Sequence, residues 1–123
     1  MREKEYKVFA SEDALQAACC IAFKNNNRDI RDLLYMITND GKKSGLQGAI
    51  DQGRGLTPGI PDLFLAIPSG KFHGLYIEMK LPGRTLSESQ KKVIPQLKAK
   101  GYEVKVCYYF EDFEPLINKY LNA

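Results

Sequence analysis

Two closely spaced apolar segments constrain the fold of this chain more than any other feature of its sequence. The segments IPDLFLAIP (60–68) and GLYIEMKL (74–81) are separated only by Ser-Gly-Lys-Phe-His. Two extended segments around a short glycine-containing loop predict an antiparallel β-hairpin. Because both segments are apolar on both faces, we expect their sheet to be covered on each side, usually by helices.

The rest of the chain predicts helices and two further strands. A helix is expected after the N-cap Ser11, and another with Thr85 and Glu88 in capping-box spacing and Pro95 inside it. The predicted helices span 11–24, 46–53, 85–101 and 112–121, and the further strands lie at 102–110 and from near Leu33 into an Asn-Asp-Gly turn. This order predicts an α/β fold, a central mixed sheet flanked by helices, in a single domain over residues 1–123.

Composition excludes several classes of protein. No apolar run approaches the roughly 20 residues of a membrane span, and the opening MREKEYKVFA lacks the apolar stretch of a signal peptide. Three cysteines without C-x-x-C spacing and a single histidine argue against a disulfide framework or a structural zinc site. They favour reduced thiols in a cytoplasmic protein. The net charge of +3 is a mild preference for polyanions, compatible with nucleic acid.

Two charged residues interrupt the second apolar segment. Glu78 and Lys80 are two residues apart in a predicted strand, so their side chains point to the same face. An acidic residue, any residue and then lysine occurs four times in the chain, and the other three occurrences lie where water can solvate them. Only the Glu78–Lys80 pair has apolar neighbours on both faces, and burial of its charges costs free energy unless something pairs with them.

Asp62 is the charged residue expected to approach this pair. In an antiparallel hairpin that turns near 69–73, the start of the first strand lies beside the end of the second. Two carboxylates brought together repel unless a cation lies between them, and magnesium, which binds a few carboxylates and keeps several waters, fits that need. Lys80 could then hold or deprotonate the attacking water in phosphodiester hydrolysis. The alternative is an ion pair from Lys80 to Asp62 or Glu78 that only stabilises the hairpin.

The spacing of these residues resembles a known motif. GIPD (59–62), fifteen intervening residues and EMK (78–80) are similar to the P-D…(D/E)-x-K nuclease superfamily. SEDALQ (11–16), NDGKKSG (39–45) and SESQ (87–90) follow in the order of one of its branches, the VRR-NUC (virus-type replication-repair nuclease) domain. The resemblance spans about residues 11–110 and implies a restriction-endonuclease-like fold with a mixed sheet between helices.

The resemblance also implies a divalent-metal site. Its ligands would be Asp62, Glu78 and the backbone carbonyl of Met79, with Mg²⁺ as the metal and Mn²⁺ as a substitute. Lys80 would position or activate the attacking water. Glu12 in the first helix would reach the metal directly or through water, and Gln90 matches the glutamine that follows the lysine in the family.

Glu12 and Gln90 have structural interpretations as well. An acidic residue in a first helical turn favours the helix whatever the function, although Gln16 one turn later suggests a pair aimed at one place. Gln90 could cap the helix from Ser87. However, Gln90 lies on the apolar side of the predicted helix, where a polar side chain needs a partner, and the active site is a plausible one. His73 in the hairpin loop is expected at the surface and not as a base.

The activity implied is that of a metal-dependent endonuclease on DNA phosphodiester bonds. Small stand-alone viral relatives are homodimers that cut branched DNA such as four-way (Holliday) junctions. A phage or prophage origin is therefore expected, with no membrane partner and no small-molecule cofactor. The alternatives are a non-catalytic nucleic-acid-binding module on the nuclease fold and, less favoured for a chain of this size, a sequence-specific restriction-type endonuclease.

Overall fold

The computed structural model of the protein describes residues 6–38 and 45–123, and contains one four-stranded sheet with helices around it. The strands are β1 (Leu34–Met36), β2 (Leu63–Leu65), β3 (Leu75–Met79) and β4 (Glu103–Cys107). The helices are α1 (Glu12–Asn26), α2 (Gly45–Gly53), α3 (Glu88–Ala99) and α4 (Phe113–Leu121), with short 3₁₀ turns at Arg31–Leu33 and Phe110–Asp112. The predicted order of elements is confirmed, with shorter strands. The predicted turn and the motif residues at 39–44 lie outside the described residues.

The sheet is mixed, as predicted. Its spatial order is β1-β2-β3-β4, with antiparallel pairing of β1 to β2 and of β2 to β3, and parallel pairing of β3 to β4. The predicted hairpin is the β2–β3 pair, in which Leu63 lies opposite Ile77. Helix α3 supplies the crossover that a parallel β3–β4 pair requires, because adjacent parallel strands cannot be joined by a tight turn. Within the described ranges, no helix is long and apolar enough to cross a membrane.

The main hydrophobic core lies on one face of the sheet. Leu15, Cys19 and Phe23 repeat every four residues along α1 and bury one stripe of that helix. The remaining members come from the strands and α4: Leu34, Leu63, Leu65, Leu75, Ile77, Met79, Cys107, Phe113, Ile117 and Tyr120. Because alternate residues of β2 and β3 face this core, the intervening residues, including Glu78, point to the opposite face. All three cysteines are free thiols.

Helix α3 lies over the opposite face, so the sheet has helices on both sides as expected, although the cover of this face is only partial. Ile94 of α3 and Val104 of β4 are buried there. Towards β1 the same face carries aromatic rings in mutual contact, and Tyr35 is 47% exposed. The crossover connection explains the difference, because α3 joins β3 to β4 and packs against β4.

The N-cap of helix α3 lies two residues later than Thr85, the N-cap of the predicted capping box. This N-cap is Ser87, whose Oγ accepts a hydrogen bond from the Gln90 amide at 3.2 Å, while the Ser87 amide donates to Gln90 Oε1 at 2.8 Å. The predicted capping box of Thr85 and Glu88 is therefore wrong, and Glu88 instead forms a surface ion pair with Lys91. The helix continues through Pro95 to Ala99.

Candidate active site

Asp62 and Glu78 lie together at one end of the β2–β3 pair. The register that pairs Leu63 with Ile77 places Asp62, one residue before β2, opposite Glu78. Residues opposite each other in an antiparallel pair project to the same face, and Lys80, two residues beyond Glu78, continues on that face. Asp62 Oδ2 also accepts a hydrogen bond from the Met79 amide at 2.8 Å. The predicted approach of Asp62 to the Glu78–Lys80 pair is confirmed.

The local sequence explains why these polar groups gather on one face. Leu63, Ile77 and Met79 are fully buried in the main core, so their polar neighbours along the chain must point away from it. Beyond β3, the Lys80 amide donates to the Cys107 carbonyl at 3.1 Å and extends the pairing with β4. The backbone that carries the site is therefore held on both sides by strands.

Glu78 is the most unusual residue of the site. Its side chain is only 3% exposed, and Oε2 accepts a hydrogen bond from Gln90 Nε2 at 2.7 Å. Its other oxygen, Oε1, is buried without a hydrogen-bond partner among the described residues. Burial, reinforced by the charge of Asp62, raises the pKa of Glu78 to about 7. A buried carboxylate oxygen without a partner costs free energy that a bound cation would offset.

Asp62 and Glu12 extend the acidic cluster. Burial raises the pKa of Asp62, opposed by the hydrogen bond from the Met79 amide. The charge of Glu12, a half-buried residue in the first turn of α1, raises the pKa of both Asp62 and Glu78. Glu12 therefore lies close enough for its field to act on both carboxyl groups, and its direct ligation of a metal stays a prediction. No group of three or more His, Cys, Asp or Glu side chains placed to hold a metal occurs in residues 6–38 and 45–123.

Gln90 performs both of the tasks that sequence reasoning treated as alternatives. Its Oε1 accepts from the Ser87 amide and completes the capping box, while its Nε2 donates to Glu78. A side-chain amide can do this because it carries an acceptor and a donor on one planar group. The helix cap thus fixes the orientation of the group that contacts the site.

Lys80 is held beside the carboxylates. Its side chain is 12% exposed, and Nζ lies 3.6 Å from Glu78 Oε2. This contact is the ion pair expected if Lys80 only stabilises the hairpin. The same position also suits a residue that orients an attacking water. The unpaired Oε1 of Glu78 favours the second interpretation, because an ion pair that served only stability would be expected to leave the remaining carboxylate oxygen satisfied.

The donor set fits a hard divalent cation. Two neighbouring carboxyl groups, one of them with a buried oxygen that has no partner among the described residues, are ligands that Mg²⁺ and Mn²⁺ prefer, and ligation by the Met79 carbonyl stays a prediction. His73 is exposed in the hairpin loop, where its ring packs edge-on against Tyr102, as expected of a surface residue.

Two further residues shape the site, and sequence reasoning gave one only as an alternative and missed the other. Ser87, which was considered as a cap in Ser-x-x-Gln spacing, is the cap that orients Gln90. Gly59, in the loop before Asp62, is buried against the first turn of α3. Its signal was a glycine directly before the Ile-Pro-Asp segment, where it has to accommodate a close backbone approach.

The mixed sheet and the Pro61-Asp62…Glu78-x-Lys80 set at one end of its two central strands define a restriction-endonuclease-like nuclease fold. The model of the VRR-NUC domain family matches residues 2–110, and the chain belongs to this family of nucleases. A solved structure described as a "VRR_NUC domain protein" is similar, with a TM-score of 0.80 and 25% sequence identity. The match covers 94% of this chain and 91% of that one. No curated protein matches the chain.

Proposed function

We propose that the protein is a metal-dependent DNA endonuclease that hydrolyses phosphodiester bonds. The observation that carries the proposal is the buried carboxyl group of Glu78, which lies beside Asp62 and Lys80 and has one oxygen without a partner among the described residues. Family membership supports nuclease chemistry. The pairing of an acidic cluster with a lysine is the equipment that hydrolysis of a phosphodiester requires, since the reaction needs a bound cation and an oriented water.

Each residue has a separate task in this proposal. Asp62, Glu78 and the Met79 carbonyl would hold Mg²⁺, or Mn²⁺ in its place. A cation bound there neutralises charge that develops at the phosphate and favours ionisation of the attacking water. Lys80 orients that water through its ammonium group, and Gln90 fixes the carboxylate of Glu78 through Oε2. The water oxygen bonds to phosphorus and gives up a proton to solvent, the bond to the leaving sugar oxygen breaks, and that oxygen takes a proton from solvent.

The proposed substrate is branched DNA, such as a four-way junction, cut by a homodimer. This part of the proposal is supported by the resemblance to small stand-alone viral members of the family. It is also supported by symmetry, because paired cuts on a two-fold symmetric junction require two active sites and each chain carries one. Sedimentation at micromolar concentration should give about twice the 13.9 kDa of the chain. A single species of one chain mass would contradict the dimer.

The test uses end-labelled linear, flapped and four-way DNA with Mg²⁺, Mn²⁺ or EDTA. The wild type should cut the four-way substrate only with metal, and Asp62→Asn and Lys80→Ala should each reduce the single-turnover rate by about 10²-fold or more. The control is Lys119→Ala, because Lys119 is an exposed residue of α4, outside the candidate site.

Three outcomes separate the competing functions. Metal-dependent cleavage that survives both substitutions would remove these residues from the active site. Binding without cleavage in either metal would favour the non-catalytic nucleic-acid-binding module. Cleavage that follows base sequence and ignores branching would favour a restriction-type enzyme.

A further inference from the structure

The backbone at Gly59 approaches helix α3 more closely than any side chain allows. A Cβ atom placed on Gly59 would lie 2.4 Å from the Ser89 carbonyl oxygen and 3.0 Å from the Gln90 amide nitrogen. Both are backbone atoms of the helix, so neither can rotate away as the end of a flexible side chain could. Any side chain at position 59 therefore requires either the loop or the first turn of α3 to move.

The first turn of α3 is also the part of the helix that contacts the site. Gln90 is held from one side by Ser87 and reaches Glu78 from the other, with Nε2 at 2.7 Å from Oε2. A displacement of the helix by about one ångström would stretch this contact beyond hydrogen-bonding distance. The same contact occupies Oε2, while Oε1 has no hydrogen-bond partner in residues 6–38 and 45–123.

We infer that Gly59 is a positioning residue that sets the distance between α3 and β3, so that Gln90 holds Oε2 of Glu78. The inference rests on the proposed function and deepens it by adding a residue that acts through Gln90. Gly59 lies three residues before Asp62. The segment 59–62 therefore carries one carboxyl group of the site and also fixes the position of helix α3, whose Gln90 orients the carboxyl group of Glu78.

A positive φ angle is a separate reason for glycine at this position, so the experiment needs a control that separates backbone strain from the contact with α3. Gly59 has a φ of +95°, a conformation that other residues adopt with strain. Gly55 in the same loop has a φ of +110° and open space around its Cβ position. Gly55→Ala therefore reproduces the backbone strain of Gly59→Ala without the contact to α3, and serves as the matched control.

The experiment compares Gly59→Ala, Gly55→Ala, Gln90→Ala and the Gly59→Ala/Gln90→Ala double variant. Nuclear magnetic resonance of the metal-free protein follows the side-chain amide signals of Gln90, which Gln90→Ala identifies by their loss. Single-turnover cleavage of four-way DNA with Mg²⁺ and DNA affinity are measured in parallel, and Gly59→Asn, which tolerates positive φ better, provides a second variant.

Gly59→Ala should move the Gln90 amide signals towards those of a free glutamine and lower the cleavage rate by about tenfold or more, with DNA affinity within about twofold. Gly55→Ala should change neither. The cleavage rate of the double variant should lie within about threefold of the rate of the slower single variant, because both changes act through one contact.

Several results would overturn the inference. They are unchanged Gln90 signals in both position-59 variants, rate losses that multiply in the double variant, and equal effects of Gly59→Ala and Gly55→Ala. Failure of both position-59 variants to fold would also overturn it, because the contact would then support the fold as a whole. If the wild type cuts no DNA, the proposed function fails, yet the Gln90 signals of the metal-free protein still decide the role of Gly59.

Discussion

Replacement of Glu78 by glutamine should stabilise the metal-free protein at alkaline pH. The carboxyl group of Glu78 is buried, one of its oxygens has no partner within the part of the chain that the structure describes, and Asp62 adds a second negative charge nearby. Glutamine keeps the shape of the side chain and can still accept the hydrogen bond from Gln90. The substitution therefore removes the buried charge and leaves the packing in place.

The size of the effect follows from the pKa of Glu78, which is about 7 in the folded protein against an ordinary value of 4.5. Between these two values the folded protein keeps a proton that the unfolded chain releases. The unfolding free energy therefore falls as the pH rises through this window and levels off above about pH 7. A difference of this size corresponds to about 3 kcal/mol, and the raised pKa of Asp62 acts in the same direction.

Urea unfolding from pH 5 to pH 9 in EDTA measures the prediction. The wild type should lose about 3 kcal/mol between pH 5 and pH 8, and Glu78→Gln should lose little. Glu88→Gln is the control, because Glu88 is exposed on the first turn of α3 and should leave the wild-type slope unchanged. Millimolar Mg²⁺ at pH 8 should restore stability to the wild type through preferential binding to the folded state, and should not do so for Glu78→Gln.

Two results would refute the reasoning. A wild-type stability that stays flat across this range in EDTA would mean that Glu78 is solvated or paired in the absence of metal. An equal fall in Glu78→Gln would place the titrating group elsewhere. A lack of stabilisation by Mg²⁺ at pH 8 would count separately against the metal site.

Three further substitutions test other parts of the site. Gln90→Glu keeps a capping-box residue opposite Ser87 but loses the donor to Glu78. The thermal midpoint should therefore fall by only a few degrees and the cleavage rate by about tenfold. A loss of cleavage explained by a large fall in the thermal midpoint would contradict this. Glu12→Gln should lower the pKa of Glu78 in a carbon-13 carboxyl titration because it removes a negative charge; an unchanged pKa would place Glu12 away from the site. Arg84→Ala removes an exposed charge from the loop before α3 and should weaken DNA binding and reduce the salt slope by about one. An unaltered slope would exclude a phosphate contact.

Local patterns were sufficient for the hairpin and for the arrangement of charged residues at its open end. A short loop between two apolar segments forces antiparallel neighbours, and the two-residue period of a strand then places Glu78 and Lys80 on one face with Asp62 opposite. The first helix was equally predictable, because Ser11 caps it and accepts from the Ala14 amide. These features depend on residues close together in the chain or joined by a turn of fixed length.

Contacts between distant elements could not be predicted in this way. Thr85–Glu88 and Ser87–Gln90 have the same capping-box spacing, and sequence alone favoured the wrong pair. The second pair forms in a helix turn that packs against Gly59 and reaches Glu78, two contacts made across the fold. Exposure of Tyr35 depends in the same way on where the crossover helix lies over the sheet.

The sequence by itself determined the mixed α/β order, the hairpin and the placement of Asp62, Glu78 and Lys80 on one face of it, because strand period and loop length act locally. Only the tertiary structure decided that Oε1 of Glu78 is buried with no partner among the residues described, and that Gln90 both caps a helix and holds Oε2. Burial and hydrogen-bond satisfaction depend on every element around an atom, so no single segment of the chain encodes them.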